Sequence, residues 1–144
     1  HSHERAKEKN RRYFDALESV GENIEELTHV ALRYWEFIME WVRNNDIGLD
    51  LTKQRREELE KTKADLFDQF KNLTVAESKL LLLGLKVPAE LTRNYGEFLK
   101  DMRRNYLDGK SSLTEAEMNT VREALLEKRQ ALFGALSEAY NDGL

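Results

Sequence analysis

Along the amino-terminal third of the chain, apolar side chains recur at Leu17, Val20, Ile24, Leu27, Ala31, Tyr34, Ile38 and Trp41, in alternating steps of three and four. This spacing keeps one helix face apolar and has the heptad form of a coiled coil. It predicts a first helix over residues 4–44, roughly 60 Å long at 1.5 Å per residue. The turn-rich Asn44-Asn45-Asp46-Ile47-Gly48 closes it. Gly21 is a weak point inside it, costing about 1 kcal/mol against Ala.

Leu59, Leu66, Leu73 and Leu80 stand seven apart, with Phe70, Ala76 and Leu83 beside them, and predict a second helix over 50–83. Within it, Thr74-Val75-Ala76-Glu77 has the form of a capping box. It marks a fresh start, a kink or nothing, and an uninterrupted or merely kinked helix is the expected outcome. Gly84 suits the left-handed residue that ends a helix. The third helix is predicted over 88–107. Pro88 lies in its first turn, and Leu91, Tyr95, Phe98, Met102 and Tyr106 share one face. Gly109 stops it, within a loop over 108–112. The fourth has the clearest start: Thr114-Glu115-Ala116-Glu117 is a capping box, with Leu113 and Met118 placed for the hydrophobic staple. Met118, Val121, Leu125, Leu132 and Leu136 then line one face to about Tyr140, before Asn141-Asp142-Gly143.

Four such helices with short connections predict an all-α fold: a mostly antiparallel four-helix bundle with long first and second helices. A single domain is expected over 4–144. His1-Ser2-His3 is read as the remnant of a purification tag and set aside. With no initiator Met following it, the chain is expected to be cut from a longer protein.

Composition narrows the chemistry. The 144 residues include no Cys, so a disulfide framework, a cysteine zinc site and a thiol nucleophile are excluded. The net charge is −4, with 23 basic and 27 acidic residues, so the basic excess of a dedicated nucleic-acid binder is absent and no nucleic-acid partner is expected. The longest pure apolar run, Leu80-Leu81-Leu82-Leu83, is too short to cross a membrane.

Ala76-Glu77-Ser78-Lys79-Leu80-Leu81-Leu82-Leu83-Gly84, then Leu113-Thr114-Glu115-Ala116-Glu117, then the closing Asn141-Asp142-Gly143-Leu144, resemble the segments of a loose group of uncharacterised bacterial helical-domain proteins. The resemblance covers the C-terminal half, and Asp142 stands where the group usually has Leu. It implies a helical domain that often follows an N-terminal membrane helix, and it implies no catalytic role. With such a helix upstream, the cluster Arg5-Ala6-Lys7-Glu8-Lys9-Asn10-Arg11-Arg12 would lie against the cytoplasmic face of a bacterial membrane. That is the expected location.

Candidate catalytic groups are few. Glu26-Leu27-Thr28-His29 matches the Glu-x-x-His element of di-iron bundles. That site needs a second such element, and His29 is the only histidine beyond residue 3. A half-exposed histidine beside the apolar face is the expected reading. Glu25-Glu26, Glu57-Glu58 and Glu115/Glu117 fall on polar faces or first turns, where solvation and the helix dipole account for them. A second basic cluster, Lys100, Arg103, Arg104 and Lys110 with Tyr106, is interrupted by Asp101 and Asp108 and suits a helix C-terminus. No catalytic residue, cofactor or metal is expected.

The strongest signal lies between Val30 and Val42, where only Arg33, Glu36 and Glu40 are not apolar. At about 100° per residue these charges and Arg43 occupy a stripe of roughly 80°, leaving about 280° apolar. One helix neighbour cannot cover that much. Either helix one lies between several others, or part of the belt is a contact surface, with Tyr34, Trp35, Phe37 and Trp41 as interface residues. The expected function is a non-catalytic protein-interaction or assembly module, contacting a second copy or another protein through helix one. The alternative is a small-molecule-sensing bundle with its ligand near Tyr34, Trp41 and Tyr95.

Overall fold

Residues 2–106 and 112–143 are described by the computed structural model, and four helices take up most of them: α1 (Ser2–Asp46), α2 (Lys53–Leu82), α3 (Lys86–Asn105) and α4 (Glu115–Asp142). The expected all-α four-helix bundle is what the chain forms. Its helix ends follow from local chemistry. Thr52 caps α2, its hydroxyl accepting from the Arg55 N–H at 3.2 Å. Thr114 caps α4 by accepting from the Glu117 N–H at 3.1 Å, and Leu113 and Met118 are both buried there. At the end of α2, Gly84 takes φ +75°; its N–H donates to the Leu81 carbonyl and the Leu85 N–H to that of Leu80. These paired bonds form a Schellman motif, which needs a left-handed residue at this position.

The bounds of α1 and α3 differ from those read in the sequence, while the second helix is uninterrupted, as expected. The helix α2 runs through Thr74 without a break, because the Thr74 hydroxyl donates back to the Phe70 carbonyl instead of capping a new start. The next helix begins at Lys86, so Pro88 is its third residue. A first-turn N–H has no intrahelical acceptor, so proline is tolerated there as well. The first helix begins at Ser2 and runs to Asp46. The expected stop at Gly109 falls outside the described residues.

Each helix packs against two neighbours, with α1 on α2 and α4, and α3 on α2 and α4. Adjacent helices are antiparallel. Arg55 of α2 meets Glu40 of α1 while Lys79 meets Ser19. Arg103 of α3 meets the Lys63 carbonyl of α2 while Arg93 meets Glu77. Tyr13 of α1 donates to the Ala139 carbonyl of α4 while Trp35 donates to that of Met118. One apolar core runs the length of the bundle, from Tyr13 and Ala139 at one end to Val42 and Leu51 at the other. Beyond Tyr13 the first eleven residues of α1 project past the core by about 16 Å, carrying Arg5, Lys7, Lys9, Arg11 and Arg12.

Candidate functional site

The belt on α1 lies against α2 and α4, and its Tyr34 reaches the end of α3. Tyr34 is fully buried, and its hydroxyl donates towards the Arg103 and Tyr106 carbonyls at the end of α3. Trp35 is 9% exposed. Its Nε1–H donates to the Met118 carbonyl at 2.5 Å, and Arg122 of α4 lies over its ring. Phe37 is buried with the Arg55 guanidinium 4.5 Å from its ring centre, and half-buried Trp41 lies beneath Arg56. Of the surface expected at Tyr34, Trp35, Phe37 and Trp41, the first three are therefore turned inward in the single chain and Trp41 is half-buried. The physical reason is that α2 and α4 flank α1 on two sides, and Tyr34 reaches across the core to the end of α3 between them.

Of the residues read as a ligand position, Tyr34 and Tyr95 are among the fully buried side chains. Tyr95 is buried, its hydroxyl 2.6 Å from that of Thr28. Thr28 spends its only hydrogen on the Ile24 carbonyl at 2.7 Å, so Tyr95 is the donor between them. Burial pushes the Tyr95 phenol up to about 12. Thr62 and Thr92, the other buried polar residues, donate to the Glu58 and Pro88 carbonyls of their own helices. Among the described residues no buried side-chain polar atom lacks a partner, and no cluster of histidine and carboxylates could hold a metal. His29 is exposed, and Glu26 accepts from the Gln69 amide. None of the described helices is long and apolar enough to cross a membrane.

The unclaimed apolar surface is on α2. Its buried residues Leu59, Leu66, Leu73, Ala76 and Leu80 face the core, yet Phe67, Val75, Leu81 and Leu82 are exposed, Leu82 to 87%. At about 100° per residue these four, with Lys71, Thr74 and Ser78, occupy an outer stripe about 120° wide. Between positions 67 and 82 the stripe carries a single charge, Lys71. Its hydroxyls are already used: Ser78 donates to the Thr74 carbonyl at 3.0 Å and Thr74 to that of Phe70. Val87, at the start of α3, is exposed at the same end of the bundle. The angular arithmetic that singled out Val30 to Val42 would have found this stripe had it been applied to residues 67–82.

Beside the stripe, on the α3 side, a groove of about 520 Å³ opens between α2 and α3. Phe70 lies at its base and Phe67 along its wall, with Lys71, Lys100, Arg103 and Arg104 around it and Asp68 as the one carboxylate. Lys100 Nζ lies 5.6 Å from the Phe70 ring centre and the Arg103 guanidinium 5.1 Å from that of Phe67. Lys100, Arg103 and Arg104 of the second basic cluster thus form one wall of a groove, without Tyr106 or Asp101, while Lys110 and Asp108 are outside the described residues.

No protein-family model matches this chain, and neither does any curated protein or solved structure. The functional reading rests on the surface just described.

Proposed function

We propose that this chain is a non-catalytic protein-interaction or assembly module whose contact surface is the outer face of α2. One observation carries the reading: α2 is apolar on two faces, and only one of them has a neighbour in the bundle. Exposed apolar patches of this kind mark interfaces. Covering this one is cheap, because Thr74 and Ser78 have already satisfied their hydroxyls within the helix.

The occupant we infer is a second copy of the chain. Two α2 helices crossing antiparallel at Ser78 lay Val75 of one copy against Leu82 of the other. The small Ser78 permits close approach, and the two Lys71 side chains stay about 20 Å apart. Light scattering on a sizing column, over a wide concentration range, tests this. A dimer that Val75→Glu/Leu82→Glu converts to a monomer of unchanged helicity supports the reading. A monomer at every concentration overturns it.

A further inference from the structure

The groove between α2 and α3 has a chemistry of its own. Four cations face one carboxylate there, in a chain whose net charge is −4. Two of the cations are in long ion pairs. Lys100 lies 3.8 Å from Glu97 and Arg104 3.7 Å from Asp101, both on the rim. Among the described residues Lys71 has no carboxylate in ion-pair range. Arg103 is fixed, its Nε–H donating to the Lys63 carbonyl at 3.0 Å, which holds the guanidinium over Phe67. Apolar and cationic surface therefore meet within one helical turn, where an aromatic face and a positive charge can act on one ligand.

The ends of the groove set the size of what fits. Towards the N-terminus of α3, Gly96 packs directly against Leu73, and the Glu77–Arg93 pair bridges the two helices above that crossing. Towards the other end, the Arg103–Lys63 bond ties the helices again. What remains is a short, half-open space of about 520 Å³. This is the volume of a single organic ligand, within the usual range of roughly 300–1,000 Å³. An extended peptide would have to cross both ties.

We propose that the groove between Phe67, Phe70, Lys71, Lys100, Arg103 and Arg104 binds a small anionic amphiphile, an organic molecule with an aromatic or aliphatic body and a carboxylate or sulfonate head. The body lies against Phe67 and Phe70, and the head sits among Lys71, Lys100 and Arg104. This site shares Phe67, Lys71 and Thr74 with the edge of the apolar stripe but does not depend on the proposed dimer contacts, since Val75, Leu81 and Leu82 take no part in the groove.

The probe is 1-anilinonaphthalene-8-sulfonate, titrated into the full chain and read by its fluorescence. Lys71 and Arg104 are exposed, so Lys71→Glu/Arg104→Glu keeps the fold, which circular dichroism verifies. The expected result is saturable binding of one probe per chain, weakened at least tenfold by that variant and by Phe67→Ser. Leu82→Glu should leave it unchanged. Decanoate should displace the probe and decanol should not. Binding that survives the charge reversal, that decanol competes equally, or that Leu82→Glu abolishes would overturn the proposal, as would the absence of saturable binding. The scattering experiment above fails or succeeds independently of these outcomes.

Discussion

Replacing Gly96 with alanine tests the closest approach in the bundle. Three glycines lie inside helices, at 21, 96 and 134, and each should gain about 1 kcal/mol from Gly→Ala through helix propensity alone. Their surroundings differ. A Cβ added at Gly134 meets nothing within 4 Å, and at Gly21 it meets Phe133 Cε1 at 3.5 Å, an ordinary contact. At Gly96 the new atom would fall inside contact distance of Leu73 Cδ2, and Leu73 is itself buried. Leu73 must leave its rotamer or α3 must shift, an overpacking cost of about 1–3 kcal/mol. Gly134→Ala is therefore expected to stabilise the protein by about 1 kcal/mol. Gly96→Ala should be neutral to about 2 kcal/mol destabilising, once the propensity gain is set against the clash. Urea unfolding, followed by circular dichroism, measures both on a common slope. Leu73→Ala supplies the control: alone it should cost about 2–5 kcal/mol, and less in the Gly96→Ala background, where the new methyl fills part of the space. If Gly96→Ala stabilises as much as Gly134→Ala, then α2 and α3 do not meet as described, and the closed end of the groove goes with them.

Three further outcomes follow from the core and the caps. Tyr95 has its phenol raised from 10 to about 12, so the unfolded chain loses this proton first as pH rises. Stability is fully present below pH 10 and falls by about 3 kcal/mol as the pH climbs towards 12, and Tyr95→Phe should flatten that loss in alkaline denaturation curves. Trp35→Glu buries a carboxylate among α1 and α4 and removes the indole bond to the Met118 carbonyl, so a cost above about 4 kcal/mol and loss of the thermal transition are expected. A folded Trp35→Glu protein with an unshifted melting temperature would contradict the inward placement of the belt. Thr114→Ala removes the cap of α4 and should cost about 1 kcal/mol in the same urea assay, whereas an unchanged midpoint would mean that the Glu117 N–H finds another acceptor.

Much of the architecture was legible along the chain, because helix formation is encoded locally. The 3–4 spacing from Leu17 to Ile38 matches residues that are all buried in α1. The start at Thr114 and the glycine stop at Gly84 were readable from residue type alone, since a hydroxyl that can reach N3 and a residue without Cβ act within one turn. Where local signals compete, the sequence was ambiguous. Thr74-Val75-Ala76-Glu77 can cap or continue a helix, and the packing of Leu73, Ala76 and Leu80 into the core decides for continuation.

What the sequence by itself determined was the number of helices, their approximate ends and the excess of apolar surface on α1. Which apolar surface is left outside was decided only by tertiary structure. Periodicity gives the angle of a side chain about its own helix, but exposure depends on where the neighbouring helices sit around it. Between them α2, α4 and the end of α3 cover Tyr34, Trp35 and Phe37, while Val75 and Leu82 point outward from α2, away from its neighbours α1 and α3. The groove is likewise tertiary. Phe67 and Arg103 are 36 positions apart, and only the antiparallel packing of α2 on α3 brings aromatic ring and guanidinium together.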